Sequence, residues 1–253
     1  MDKKITLQQI KDASDDWGKH PINIRILGPF SSYVAYIFAR FTPLTPNQIS
    51  FTWGFLGVVA CFFIGLGGYS YMVFGAILYH FAVLLDYVDG EIAKAKKITT
   101  IGGTYLDRLF HYIHRGLLVL ALGWGIYNTN GNIAYLYLGI STSIFLLLDN
   151  LNKLKVYETF ANEKRLDLIY KMRESYMVAT AYGQKKGLIK TVKDYTMELL
   201  RPNNPFSFLF ITIVFNIPGT YLILMSIITP IVFLKNLVLI YRKIGNISTK
   251  KKL

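Results

Sequence analysis

The lysines and arginines of this sequence lie between long apolar segments, and this arrangement limits the possible folds more than any other feature. A helix needs about 20 mostly apolar residues to cross a hydrocarbon core of roughly 30 Å. We predict six membrane helices, over residues 48–66, 71–97, 102–126, 132–152, 204–217 and 219–242. Three connections have turn-forming sequences: GLGGYS at 65–70, NTNGN at 128–132 and NIPG at 216–219. None of the 28 Lys and Arg residues lies in them.

All basic segments therefore fall on one side of the membrane, which the positive-inside rule makes cytosolic. The net charge of +13 accompanies a hydrophobic content of 53%, so it indicates cytosolic flanks and not nucleic-acid binding. We expect an integral protein of the cell membrane with both termini in the cytosol. The single cysteine, Cys61, excludes an intrachain disulfide. We expect no cleavable signal peptide, because residues 1–20 are mostly polar.

The expected fold class is all-α, a polytopic membrane protein with six transmembrane helices and an N-terminal interfacial amphipathic helix. Residues 1–43 would form the N-terminal helices, and residues 44–151 the first four membrane helices. A basic helical insertion in the cytosol is expected over 152–203, as an extension of the fourth membrane helix. The last two membrane helices would occupy 204–243, before a basic tail at 244–253.

The N-terminal segment, residues 4–41, combines a proline with an apolar stripe. Pro29 suits the first turn of a helix. Apolar residues then recur at helical spacing: Phe30, Val34, Ile37, Phe38 and Phe41. Two interpretations are open, a helix lying on the membrane surface or a helix packed against the bundle.

Two carboxylates, Asp86 and Asp89, interrupt the second apolar segment. Asp86 lies about 22 Å along the helix from Tyr71 at 1.5 Å per residue, inside the inner edge of the hydrocarbon. A lone carboxylate at that depth costs at least a few kcal/mol, so it indicates a functional site. The alternative is a helix end that reaches solvent.

The third membrane helix begins from the same side and carries a third carboxylate. Gly103, Asp107, His111 and His114 share one of its faces. Three carboxylates and an imidazole then meet at one depth, and oxygen ligands in such a cluster favour Mg²⁺ or Mn²⁺. Asp107 has an alternative partner in Arg108 or Arg115. We interpret His114 as a packed helix residue, and His80 as a packing or supporting one.

These residues resemble the motif of the CDP-alcohol phosphotransferase family, D-x2-D-G-x2-A-R-x8-G-x3-D-x3-D. Here the motif positions hold Asp86, Asp89, Gly90, Ala93, Lys94, Gly103, Asp107 and His111, with every spacing kept. The segment LTPNQIS at 44–50 is similar to the family sequence at the start of the first membrane helix. The resemblance covers residues 44–124 by motif.

The resemblance implies an enzyme and its substrates. A CDP-linked alcohol, such as CDP-diacylglycerol, would donate a phosphatidyl or phospho-alcohol group to an acceptor alcohol and release CMP. The implied metal site, for two ions, consists of Asp86, Asp89 and Asp107, with His111 at the fourth position. The implied donor site consists of Asn47, Gly90, Ala93, Lys94, Thr100 and Gly103. Membrane lipids as partners and a homodimer are implied in the same way.

Two motif positions depart from the family. Lys94 replaces an arginine, which keeps the charge but loses the bidentate contact with phosphate. His111 replaces the last aspartate, the family's expected base. A neutral imidazole suits proton removal near pH 7, so we expect His111 to be the general base or a metal ligand. The alternative is a chain without catalytic activity.

Two other functions remain open from the sequence, a non-catalytic scaffold and a metal-ion transporter. A transporter would favour acids near the midplane and repeated, broken helices. The identities of donor and acceptor do not follow from the motif. Several basic residues would suit a phosphorylated acceptor or, alternatively, anionic lipid: Arg108, Arg115, Lys153, Lys155 and Arg201.

Overall fold

Eight helices and no strand are formed by residues 5–14, 22–162, 164 and 208–249, which are the residues that the computed structural model describes. The helices are α1 (Leu7–Ala13), α2 (Ile22–Phe41), α3 (Pro46–Leu66), α4 (Tyr69–Lys96), α5 (Ile101–Asn130), α6 (Ile133–Asn162), α7 (Phe208–Val214) and α8 (Pro218–Thr249). The predicted all-α class is confirmed.

Five of these helices are long and apolar enough to cross a membrane: α3, α4, α5, α6 and the Pro218–Arg242 part of α8. The chain is therefore an integral membrane protein by the length and composition of its helices. The predicted fifth span, 204–217, contains α7, which has seven residues from Phe208 to Val214. Residues 204–207 lie outside the described part, so the count of six spans is not confirmed.

Local sequence signals set where α3 and α5 begin and where α4 ends. Thr45 caps α3: its Oγ1 accepts from the Gln48 N–H at 3.3 Å, and Gln48 Oε1 accepts from the Thr45 N–H at 2.9 Å. Helix α4 ends at Lys96, and the residue that caps it, Lys97, has a left-handed backbone with φ of 55°. Thr100 then caps α5, so the α4–α5 connection is short and the two helices run antiparallel.

Small residues allow the membrane helices to approach closely. A Cβ added to Gly123 of α5 would lie 2.9 Å from Gly139 Cα of α6, the kind of backbone contact that membrane helices use for packing. The central core is formed by α3, α4 and α5 with α7 and α8. Large apolar side chains on the outer faces, such as Phe55, Phe62 and Ile77, are more than half exposed and suit contact with lipid.

The N-terminal helices, α1 and α2, pack against α4. Ile10 of α1 and Ala35 of α2 belong to a cluster of buried residues with Ile49 and Trp53 of α3 and with Ala82, Leu85, Val88 and Ile92 of α4. Val34 and Phe38 also pack against this cluster, whereas Phe30, Ile37 and Phe41 are exposed. The apolar stripe therefore has a packed side and an exposed side, and the position of α2 on the membrane surface stays a prediction.

The placement of Pro29 in the first turn of a helix is wrong, because α2 begins at Ile22 and Pro29 lies inside it. A proline inside a helix removes one backbone hydrogen bond. The residues that follow Pro29 pack against the cluster on α4, with Ala35 buried and Val34 and Phe38 partly buried, which stabilises the helix beyond the proline.

Helix α6 continues past residue 152 to Asn162, and the cytosolic insertion over 152–203 stays a prediction. Val156 and Phe160 are buried there against Ile240 of α8. Residues 163 and 165–203 of the predicted insertion and residues 250–253 of the predicted tail lie outside the described part of the chain.

Candidate functional site

A pocket of about 240 Å³ opens where the C-terminal end of α4 meets the N-terminal ends of α3 and α5. It is lined by the predicted residues Asn47, Asp86, Asp89, Gly90, Ala93, Lys94, Thr100, Gly103 and Asp107. Five further residues line it that the sequence argument did not identify: Pro46, Ser50, Ile98, Thr99 and Thr104. The antiparallel α4–α5 pair thus brings the three aspartates into one pocket.

The side chains of Asp86, Asp107 and His111 lie close to one another in the site. His111 Nε2 lies 3.5 Å from Asp86 Oδ1 and 3.4 Å from Asp107 Oδ1. One ligand atom from each residue lies within 4.8 Å of the others, close to the spread of ligands around a single divalent cation. The oxygen-rich donor set suits Mg²⁺ or Mn²⁺, so these residues fit a metal.

Asp89 lines the same pocket but is held by α3. Ser50 Oγ donates to Asp89 Oδ2 at 2.5 Å, and Trp53 Nε1 donates to the same oxygen at 2.9 Å. Because these bonds engage Oδ2, Oδ1 is the atom they leave to face a ligand. Sequence reasoning missed both donors. Helical spacing could have found Ser50, because it lies three residues after Asn47 and on the same face of α3.

Asn47, Thr100 and Gly103 join the N-terminal ends of α3 and α5. Thr100 Oγ1 accepts from the Gly103 N–H at 2.9 Å and donates to Asn47 Oδ1 at 3.2 Å. A Cβ on Gly103 would lie 2.5 Å from Asn47 Oδ1. The glycine therefore permits the close contact of the two helix ends, which gives it a structural role beside the predicted one.

Gly90 has different surroundings from Gly103. A Cβ on Gly90 would meet no protein atom within 4 Å, so protein packing does not require a glycine there. Gly90 and Ala93 both line the pocket. Because Gly90 has no side chain and Ala93 has only a methyl group, the backbone of α4 is accessible from the pocket.

The three histidines near the site have different surroundings. The ring of His111 lies beside Trp53, with the ring centroids 5.2 Å apart. His114 is buried, and its Nε2 lies 2.8 Å from the Gly54 carbonyl oxygen. His80 Nδ1 lies 2.6 Å from the Ala76 carbonyl oxygen, and its ring packs on Phe210. The packing interpretation of His114 agrees with its burial and its bond.

Three of the five basic residues suggested for an acceptor have partners in the structure. Arg115 donates to Asn150 Oδ1 at 3.0 Å. Lys153 pairs with Asp149 at 2.5 Å, and Lys155 pairs with Glu158 at 2.8 Å. Arg108 is exposed beside Asp107, and Arg201 lies outside the described residues.

A comparison with protein-family models decides the family. The model for CDP-alcohol phosphatidyltransferase matches residues 43–171, just over half of the chain. The chain belongs to the CDP-alcohol phosphatidyltransferase family. A search of curated proteins found no match.

The motif residues of this member of the CDP-alcohol phosphatidyltransferase family, from Asp86 to His111, all lie inside the matched segment. It contains the pocket and His111, and it spans α3, α4, α5 and α6. Helices α1 and α2 precede the match, and α7 and α8 follow it. The predicted family membership is confirmed.

Proposed function

We propose that the protein is a membrane phosphotransferase that uses a CDP-linked alcohol, such as CDP-diacylglycerol, as donor. The hydroxyl oxygen of an acceptor alcohol forms a bond to the transferred phosphorus, and the bond from that phosphorus to CMP breaks. The hydroxyl proton of the acceptor passes to a base, either His111 or water, and CMP leaves with the electron pair of the broken P–O bond. The observation that carries the proposal is the pocket in which Asp86, Asp89 and Asp107 lie beside the predicted donor site.

The donor would lie along α4 and the two helix ends that face it. Lys94, in the last turn of α4, supplies a positive charge for the pyrophosphate. The accessible backbone at Gly90 and Ala93 allows the phosphates to approach α4 closely. Asn47 and Thr100, already bonded to each other, present a polar edge for the nucleotide.

The site would hold two divalent ions, Mg²⁺ or Mn²⁺, and its ligands would be Asp86, Asp89, Asp107 and His111. Bound divalent ions supply charge neutralisation for the pyrophosphate and for the leaving CMP. Ser50 and Trp53 orient Asp89, since both donate to its Oδ2. Removing those donors would let the Asp89 carboxylate rotate away from the pocket.

His111 has two proposed roles, and its geometry favours one. The same nitrogen, Nε2, approaches Asp86 and Asp107, which supports a role as metal ligand beside those carboxylates. A general base would instead need an unprotonated ring nitrogen within hydrogen-bond reach of the acceptor hydroxyl.

The orientation and assembly of the enzyme are proposals of the same kind. The basic segments favour a site on the cytosolic side of the cell membrane, where the acceptor alcohol would enter. The family resemblance supports a homodimer.

Measuring CMP release by the purified full-length protein tests the proposal. A panel of CDP-alcohol donors and acceptors should identify a productive pair, and excess EDTA should abolish turnover until Mg²⁺ or Mn²⁺ is added. Asp86→Asn, Asp89→Asn and Asp107→Asn should each lose nearly all activity. Asp12→Asn, at an exposed position of α1, is the matched control. Full turnover in excess EDTA would contradict metal dependence.

A further inference from the structure

A second buried carboxylate, Glu91, lies on α4 between the motif residues but away from the pocket. Its side chain is almost completely buried. Ser31 Oγ of α2 donates to Glu91 Oε1. No described residue bonds to its other oxygen, Oε2.

Two more serines lie beside this contact. Ser32 of α2 is buried, and its Oγ lies 3.1 Å from Ser14 Oγ, at the end of α1. Ser14 also donates to the Ile10 carbonyl oxygen at 2.8 Å. Hydroxyl groups from α1 and α2 thus gather around one carboxylate of α4, and together they join three separate segments of the chain.

The two buried carboxylates of α4 point in nearly opposite directions. Asp89 and Glu91 are two residues apart, about 200° around a helix that turns about 100° per residue. Asp89 is bonded to Ser50 and Trp53 of α3, and Glu91 is bonded to Ser31 of α2. Helix α4 is therefore held on both faces at the level of the site.

We propose that Glu91 is a positioning residue, which fixes the rotation of α4 and so keeps Asp86 and Asp89 directed into the pocket. The inference rests on the proposed function, because it gives those aspartates the role of metal ligands. Apolar packing alone would allow small rotations of α4 against α1 and α2. A hydrogen bond to a buried carboxylate has a preferred direction, and losing it leaves a buried charged group without its partner.

Burying a carboxylate at this position carries a large desolvation penalty, which apolar contacts between two helices would not have. Replacing a buried charged group by a well-packed apolar one is often neutral or stabilising. The surrounding contacts of α1 and α2 with α4 are already apolar, through Ile10 and Ala35 against Val88 and Ile92. Directional positioning therefore explains Glu91 better than stability does.

The test measures Mn²⁺ binding by the full-length protein without substrates, from the paramagnetic resonance signal of free Mn²⁺. Glu91→Ala should weaken Mn²⁺ binding about 10-fold or more, the usual effect of losing a residue that orients metal ligands. Glu91→Gln keeps Oε1 as an acceptor for Ser31 and should bind Mn²⁺ nearly as wild type does. Glu158→Ala, which removes an exposed carboxylate paired with Lys155, is the control.

A merely structural role gives a different result. In that case Glu91→Ala lowers the melting temperature but binds Mn²⁺ with wild-type affinity, and the proposal is overturned. If Glu91→Ala does not fold, Ser31→Ala gives the same test, because it removes the donor and leaves the carboxylate in place. Wild-type Mn²⁺ affinity in folded Ser31→Ala would then overturn the proposal.

The same measurements separate this inference from the proposed function. A wild-type protein that neither binds Mn²⁺ nor releases CMP contradicts both. A wild-type protein that does both, with Glu91→Ala identical to it in Mn²⁺ affinity, contradicts the positioning role alone.

Discussion

The imidazole of His111 approaches Asp86 and Asp107 through one nitrogen, Nε2, at 3.5 and 3.4 Å. The family motif has an aspartate at this position, so the substitution keeps a side chain that can bind a metal. An imidazole nitrogen and a carboxylate oxygen both bind Mn²⁺. The two roles of His111 therefore predict different effects of the same substitutions.

We expect His111→Ala to weaken Mn²⁺ binding and to lower kcat, with part of kcat restored by added Mn²⁺. His111→Asp supplies a carboxylate and should retain more Mn²⁺ affinity and more activity than His111→Ala. The measurements are the Mn²⁺ dissociation constant and kcat against Mn²⁺ concentration, with His80→Ala as the control histidine. A base-only role predicts instead that His111→Ala lowers kcat about 10²–10⁴-fold at unchanged Mn²⁺ affinity.

Gly90 offers a test in which stability and activity should change in opposite directions. Alanine in place of glycine stabilises a helix by roughly 0.5–1 kcal/mol, and a Cβ at Gly90 meets no protein atom within 4 Å. If the donor phosphates approach the backbone there, the added methyl group should cost about 1–3 kcal/mol of donor binding. We expect Gly90→Ala to keep or raise the melting temperature and to raise the donor KM.

Gly102→Ala is the matched control, because a Cβ on Gly102 also meets no protein atom within 4 Å and Gly102 is in the adjacent helix, α5. Its donor KM should stay at the wild-type value. A wild-type KM in Gly90→Ala would show that the donor does not approach α4 at this point.

The last turn of α4 places Lys94 in the pocket and Lys96 close by. Both cations interact favourably with the helix dipole at the C-terminal end of α4. Comparing their alanine variants therefore isolates the contact of Lys94 with the donor. Losing a hydrogen bond to a charged group costs about 1.5–3 kcal/mol. We expect Lys94→Ala to raise the donor KM by about 10- to 100-fold and Lys94→Arg to retain substantial activity.

Lys96→Ala should leave the donor KM near the wild-type value. The measurement is the initial rate of CMP release against donor concentration for the three variants. Equal donor KM values in Lys94→Ala and in the wild type would move the donor pyrophosphate away from the end of α4.

The sequence predicted the pocket through the α4–α5 pair, because both helices carry their acids near one short connection and helical spacing puts Asp107 and His111 on one face. It could not predict the bonds from Ser50 and Trp53 to Asp89, since they depend on how α3 is rotated against α4. The Glu91–Ser31 contact was missed for the same reason: the partners lie 60 residues apart. Local periodicity indicates faces, whereas the pairing of faces depends on tertiary packing.

Helix ends were predicted less well than helix positions. Glycines marked the α3–α4 and α5–α6 connections correctly, because Gly67 and Gly131 have positive φ values. Pro29 misled, since α2 continues through it. The fifth predicted span could not be compared in full, because the described part of it begins at Phe208.

The whole molecule has two unlike ends along the predicted membrane normal. At one end lie the pocket, the exposed Lys96 and Lys97, and the extension of α6. At the other lie the connections after α3, α5 and α7, which contain no Lys or Arg. A donor with acyl chains would reach the pocket from the bilayer, and a polar acceptor would reach it from the aqueous side. The orientation of the membrane helices therefore determines which compartment supplies the acceptor.

Single cysteines test this orientation, because the native Cys61 is buried and should give little background labelling in the wild-type chain. Asn130→Cys at the end of α5 and Ile217→Cys before α8 lie in connections without basic residues, and both positions are exposed. We expect a membrane-impermeant maleimide to label both in intact cells. Glu158→Cys on the α6 extension and Lys185→Cys should be labelled only after permeabilisation, because the positive-inside rule places their basic segment in the cytosol. Labelling of Glu158→Cys and Lys185→Cys in intact cells, with protection of Asn130→Cys and Ile217→Cys, would invert the protein and place the pocket on the outer side. Labelling of all four in intact cells would show that the helices between them do not cross the membrane as proposed.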